Sequence, residues 1–326
     1  MIVGAGELGA KFFLLAMGPG INHTSPMRKK CSLAIALMLL AGFALVGLAQ
    51  KTKDDSAKVV KVLILDGQNN HKWQETTPVL QQIFGTSDRF SVEVSTSPGA
   101  KASEEEWDKW RPEFSKYDVV VSNYNGQMWP GEVRAAFVEY VKKGGGFVVV
   151  HAANNAFSMW PEYNEMIGLG GWGGRTEESG PYVYYKNDKL VVDGSAGRGG
   201  GHGPQHEFVV VNRAPEHPVT QGMPTEWLHT KDELYDTLRG PAKNLEVLAT
   251  AASEKSKRDE PMLMALTYGE GRVFHTTLGH ATYSMQCRGF YDTLLRGTEW
   301  SAGRDITVTW SEDFPTKDKT TPVAAK

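Results

Sequence analysis

Gly144-Gly145-Gly146-Phe147-Val148-Val149-Val150-His151-Ala152-Ala153 is the stretch that decides the fold. Four consecutive apolar residues, three of them β-branched, suit a strand buried on both faces, since a half-exposed strand would alternate apolar with polar positions. The glycines close a preceding helix. Pro130 to Lys143 begins with proline and ends in glycine, the order that helix termini favour. The same rhythm recurs on the amino-terminal side. Val59 to Leu65 is an apolar first strand ended by Asp66-Gly67, a helix follows from about Glu75 to Phe84, Phe90 to Val94 is a second strand and Tyr117 to Asn123 a third. Apolar strands alternating with amphipathic helices predict an α/β protein with a mostly parallel sheet and helices on both faces. Ligands of such sheets sit beyond the carboxyl ends of the strands, so function is sought where each strand hands over to its loop.

Toward the carboxyl terminus, residues 160 to 203 are rich in Gly, Tyr and Trp, with a hairpin around Tyr182 to Val192. They read as an elaboration over the site, not a second domain. Glu207 to Val211, Leu245 to Ala249, Met262 to Tyr268 and Arg272 to Thr277 supply further strands, the last two joined by Gly269-Glu270-Gly271. Gln286 to Ala302 is a final helix. Residues 304–326 are expected to form a strand over Ile306 to Trp310 and a disordered tail.

The amino terminus is not part of this fold. Arg28, Lys29 and Lys30 precede an apolar stretch from Leu33 to Leu48, which ends at Ala49 and turns polar. That is the pattern of a signal peptide over 27–49, with 1–26 an over-extended start and 50–58 a linker before one domain over 59–303. An exported protein, periplasmic or extracellular, is expected, with no stable membrane span once the signal is cut. A retained anchor is the competing reading, because the apolar run is near the lower length for a span. The net charge of −3 gives no footprint for nucleic acid. Of Cys31 and Cys287 only the second survives cleavage, so no internal disulfide is expected. Gly4-Ala5-Gly6-Glu7-Leu8-Gly9 lacks a βαβ unit, and Gly199 to Gly203 lacks the Lys and helix of a phosphate loop and reads as a flexible lid or an insertion; no nucleotide is expected.

Three strand ends lead to histidine: His71 after the first, His151 after the fourth, and His280 after Arg272 to Thr277. Histidine serves as acid, base or metal ligand near neutral pH, and three at corresponding strand ends make a site hypothesis. Trp227 to Tyr235 adds Glu233, either a base or a partner that orients a histidine; a solvated turn with Leu234 buried is the plainer alternative. His217-Pro218 reads as a turn whose ring caps backbone, and His206 belongs with it. Trp73, Trp129, Trp160, Trp172 and Tyr283 lie near these loops, where aromatic faces suit sugar C–H surfaces, although each would equally fill a core.

The order of five motifs is distinctive: the stretch with His71, Gly144 to Ala153, His217-Pro218-Val219-Thr220, Asp232-Glu233-Leu234-Tyr235, and Gly269 to Val273 leading to Leu278-Gly279-His280. Over Val60 to Gly303 this resembles the ThuA-like (trehalose utilisation) family. The resemblance implies a flavodoxin-like fold related to class I glutamine amidotransferases, whose strand-to-helix turn presents a catalytic cysteine. Here His151 starts that turn and neither Ala152 nor Ala153 is a nucleophile, so glutamine hydrolysis is not expected. The resemblance implies carbohydrate metabolism, including routes through 3-keto sugars. On that reading His151 and His280 transfer protons, Glu233 orients or assists, and His71, Trp73, Asn155, Tyr235 and His206 bind substrate. A divalent metal held by histidines is one variant, left undecided because no compact ligand motif such as H-E-x-x-H is present. The expected partner is a small carbohydrate, with homo-oligomerisation open. A non-catalytic carbohydrate-binding module is the alternative.

Overall fold

A computed structural model describes residues 58–324. The start extension and signal peptide, with all but the last residue of the expected linker, lie outside the described residues. The chain runs through β1 (Val60–Asp66), α1 (Trp73–Phe84), β2 (Phe90–Thr96), α2 (Glu104–Lys109), β3 (Val119–Ser122), α3 (Gly131–Lys142) and β4 (Gly146–Val150). A 3-10 turn (His151–Asn155) and α4 (Pro161–Ile167) lead to β5 (Tyr182–Lys186), β6 (Lys189–Asp193), β7 (Gly201–His202), β8 (His206–Asn212), β9 (Glu226–Asp232) and β10 (Tyr235–Asp236). After β11 (Leu245–Ser253), β12 (Arg258–Tyr268) and β13 (Gly271–Thr276) come α5 (Thr282–Met285) and α6 (Arg288–Ser301).

The main sheet is mixed, in the order β2-β1-β3-β4-β13-β12-β11-β8-β9. Its first five strands are parallel, with Val62 opposite both Val92 and Val119, and Thr276 opposite Val150. From β13 outward each neighbour is antiparallel. Four reversals separate β13 from β9, so β9 runs in the same direction as β1, β3, β4 and β13. All five therefore end on one edge.

Alternation within the apolar strands separates two cores. Val60, Val62, Ile64, Val148 and Val150 pack with Leu80, Ile83 and Phe84 of α1 and with Phe290 and Leu294 of α6. Leu63, Leu65, Phe147 and Val149 pack on the other face with Val133, Phe137 and Val141 of α3 and Tyr163 and Ile167 of α4. Each large apolar side chain fully buried this way contributes about 1.5–3 kcal/mol, which is why these strands carry almost no polar residues. Helix α6 lies close to the sheet through glycine: a Cβ at Gly297 would stand 2.3 Å from the Phe274 ring and one at Gly289 2.2 Å from Trp227.

The helix expected over Gln286 to Ala302 is α6, which begins at Arg288 because Cys287 is extended (φ −110°, ψ 132°) and caps it. Three expectations are corrected. Ile306 to Trp310 forms no strand. Instead Thr307 and Val308 donate their N–H groups to buried Glu299, at 2.8 and 3.0 Å, so a side chain takes the bonds that a sheet edge would have supplied. The tail up to residue 324 is also placed, with Leu228 N–H donating to the Thr316 carbonyl, Arg288 N–H to Thr321 and Val323 N–H to Gln286, each at 2.8 Å. The segment expected as a flexible lid is partly ordered too, since Tyr235 pairs with His202 and Asp236 with Gly201. Among the described residues, no helix is long and apolar enough to cross a membrane.

Candidate functional site

The carboxyl edge gathers the loops after β1, β3, β4, β9 and β13. His151 follows β4 directly with φ +46°, a left-handed backbone rare outside glycine, on a turn held from both sides. Its neighbour Asn154 donates to Nε2 of buried His275 at 3.1 Å, and His275 Nδ1–H donates to the Ile167 carbonyl at 2.9 Å. Burial, together with the neighbouring His151, lowers His275 to about 4 and leaves it neutral.

Four side chains converge. His151 donates from Nδ1 to the Thr277 carbonyl at 2.6 Å, which fixes its tautomer and turns the Nε2 lone pair inward. His151 Nε2 and His71 Nε2 stand 3.1 Å apart. Glu233 Oε2 is 3.7 Å from His151 Nε2, 3.8 Å from His71 Nε2 and 3.0 Å from His280 Nδ1. His280 Nδ1 is buried yet makes no well-aligned hydrogen bond, while the Gln205 amide meets its Nε2 at 2.9 Å. The four ligating atoms lie within 4.8 Å of one another. Ligands around one tetrahedral ion, with bonds of about 2.0–2.1 Å, stand about 3.4 Å apart. The His71, His151 and Glu233 atoms thus need little movement to hold a divalent cation, and three imidazoles with one carboxylate are the donor set zinc and its neighbours prefer.

Electrostatics agree with that fit. Burial, then the nearby His151 and His280, lowers His71 to about 4, so its lone pair is free at neutral pH. Burial pushes the Glu233 carboxyl up, but the neighbouring His151 and His280 rings outweigh this and hold it well below the usual carboxylate range. Tyr235, buried, is pushed well above its ordinary value and keeps its proton; its hydroxyl is 3.4 Å from His71 Nε2 and 3.5 Å from the Asn155 amide.

Above the cluster opens a cavity of about 600 Å³, lined by Asn70, His71, Asn125, Asn155, Trp172, Gly173, His202, Glu233, Tyr235 and His280. The structure therefore brings together His71, His151, His280, Glu233, Asn155 and Tyr235. It does not bring in Trp73, which starts α1, nor His206, which lines a separate cavity of about 410 Å³ with Pro204 and Leu234. His217 caps backbone as expected, accepting from Val219 N–H at 3.2 Å. Asn125, His202 and Gln205 were not singled out. Asn125 lies just past the end of β3, so the strand-end rule would have found it; His202 and Gln205 carry no sequence signal beyond their nearness to a glycine run.

The profile of the family described as ThuA, trehalose utilisation, matches residues 61–301. The chain belongs to the ThuA family. A ThuA-like protein from Parabacteroides merdae ATCC 43184 is 48% identical to it, over 81% of this chain and 98% of that one, with a TM-score of 0.77. A second ThuA-like protein, from Bacteroides uniformis ATCC 8492, shares the fold at 20% identity over 78% of this chain and 96% of that one, with a TM-score of 0.53. Among curated proteins none matches. The ThuA strand-to-helix turn here carries an imidazole in a strained backbone, and Cys287 is buried beside His229, away from the cavity.

His275 gives the ThuA chain a pH dependence. Its folded value of about 4 lies below the model-peptide value of 6.5, so the unfolded chain binds the extra proton between these limits. The stability it contributes is complete above pH 6.5 and is lost as pH falls toward 4, by about 3 kcal/mol. Urea melts at a series of pH values should show that loss, and His275→Gln should remove this share while leaving that of His71, which is also lowered to about 4.

Proposed function

We propose that this chain is an exported acid–base enzyme of carbohydrate metabolism, acting on a glycoside or 3-keto sugar with a divalent cation held by His71, His151 and Glu233. The observation that carries this reading is the convergence of three imidazoles on one carboxylate oxygen, at 3.0 to 3.8 Å, on the floor of a cavity. A cation bound there polarises a carbonyl oxygen, which acidifies the neighbouring C–H bonds. Three protein ligands and an open position are the usual arrangement of a catalytic centre.

The chain's own residues divide the remaining work. His280, the most exposed imidazole of the group at 20%, exchanges a proton with the substrate, assisted by Glu233 at 3.0 Å. Tyr235 keeps its proton and donates a hydrogen bond to a substrate oxygen. The amides of Asn70, Asn125 and Asn155 receive hydroxyl groups, and Trp172 offers a ring face to the apolar side of a sugar. The finer fold assignment also belongs here: the parallel order β2-β1-β3-β4-β13 supports a flavodoxin-like scaffold of the glutamine-amidotransferase type. Export rests on the signal-like pattern of residues 27–49.

The test is a panel of glycosides and their 3-keto derivatives, incubated with and without divalent metals and followed by mass spectrometry. Turnover that disappears with a chelator, and falls in His280→Ala while KM changes little, is expected. Saturable binding of an unmodified glycan with no turnover on any member would move the protein to the class of carbohydrate-binding modules.

A further inference from the structure

Behind the candidate centre lies Asp232, fully buried at the end of β9 and in none of the cavities described above. Its side chain points inward because of an irregularity in β9. His206 pairs with Asp232 but Phe208 pairs with His229, so three residues on β9 span two on β8. Strict alternation would place residues 229 and 232 on opposite faces; this bulge puts both among the buried residues.

Each oxygen of Asp232 accepts two hydrogen bonds. Oδ1 takes the N–H of Glu233 at 2.8 Å and that of His280 at 3.1 Å. Oδ2 takes the N–H of Gly279 at 2.8 Å and His229 Nε2–H at 2.8 Å. The bonds therefore tie the backbone of Glu233, after β9, to the backbone of Gly279 and His280, after β13. These loops lie 46 residues apart in sequence (233 to 279), and their two functional side chains meet at 3.0 Å. His229, fully buried, faces this carboxylate through Nε2–H, and the four hydrogen bonds together make a buried carboxylate tolerable.

We infer that Asp232 is a positioning residue that fixes Glu233 and His280 relative to each other by clamping the two loops that carry them. The inference rests on the metal-centre reading for its effect on binding, while the clamp itself stands on hydrogen bonds alone. An asparagine would keep acceptor capacity at one oxygen and turn an NH₂ group toward two backbone or ring donors at the other. At least two bonds would be lost with no replacement.

The test uses the full chain with Co²⁺ as the probe. In Asp232→Asn, Co²⁺ affinity measured by calorimetry is expected to fall by about 10–100-fold, as for other groups that orient metal ligands, and the visible Co²⁺ spectrum is expected to change. In the metal-free proteins, hydrogen exchange at Glu233, Gly279 and His280 is expected to accelerate in the variant. If Asp232→Asn does not fold, Asp232→Glu keeps the charge and displaces the carboxylate by one methylene, with the same losses expected. A folded variant with wild-type Co²⁺ affinity, spectrum and exchange overturns the clamp. Wild-type protein that takes up no Co²⁺, yet loses protection at these amides on substitution, supports the clamp and overturns the metal reading instead.

Discussion

Replacing His151 with alanine is expected to lower affinity for a divalent cation by more than about 100-fold and turnover by about 10²–10⁴-fold. The size of the effect follows from its place. His151 Nε2 lies 3.1 Å from His71 Nε2 and 3.7 Å from Glu233 Oε2, and the ring is 2% exposed, so no water reaches the vacated position without reorganisation. Its other nitrogen is committed to the Thr277 carbonyl, which leaves one nitrogen for chemistry and fixes where that nitrogen points. Isothermal titration with Zn²⁺ reads the loss of affinity. Circular dichroism reads whether the fold survives, as it should, because the strand before His151 is held by Val148 and Val150 in one core and Phe147 and Val149 in the other. Wild-type affinity in a folded His151→Ala protein would remove this residue from the centre.

Trp129→Ala is expected to cost about 3–5 kcal/mol and to lower the melting midpoint by roughly 10 °C. Trp129 is 1% exposed and packs against Trp110, Tyr124, Phe137, Phe157 and Trp160, with ring centroids 5.2 to 5.8 Å away. No single neighbour can collapse into the volume of an indole. Its Nε1–H is buried with no hydrogen-bond partner, so Trp129→Phe, which removes that group and keeps an aromatic ring, should cost distinctly less. The substitution should also reach the site. Tyr124 donates to the Gln127 carbonyl at 2.7 Å, and Gln127 N–H donates to Gln68 Oε1 at 3.0 Å, which ties the loop with Asn125 to the loop with His71. Differential scanning calorimetry separates the two variants, and a loss of less than about 1 kcal/mol in Trp129→Ala would mean that this cluster does not hold the structure.

The parallel half of the sheet is legible in sequence because strands buried on both faces cannot hide: Val119 to Val121 and Phe147 to Val150 leave no polar position. The carboxyl-edge rule then gives His71, His151 and His280 before any coordinate does. Glu233 is legible for a weaker reason, since its strand joins the same edge only through four antiparallel neighbours. Asp232 is not legible at all, because the bulge in β9 depends on pairing with β8, a partner about twenty residues earlier in sequence. Trp73 lies two residues from His71 in sequence, yet it starts α1 outside the cavity, because short distance along a chain does not fix the direction of a side chain. Ile306 to Trp310 has the composition of a strand, but the Glu299 carboxylate takes its N–H groups. The short helix α2 had a readable start, as Ser103 and Glu106 form a reciprocal cap, but six residues with none buried give no periodic signal.

The most direct test of the metal centre is the X-ray absorption spectrum of the protein loaded with one equivalent of Zn²⁺. The expected spectrum has two imidazole nitrogens and one carboxylate oxygen at about 2.0–2.2 Å, and loses them in His151→Ala. A sulfur ligand at about 2.3 Å, or an unchanged spectrum in His151→Ala, would contradict the centre described here.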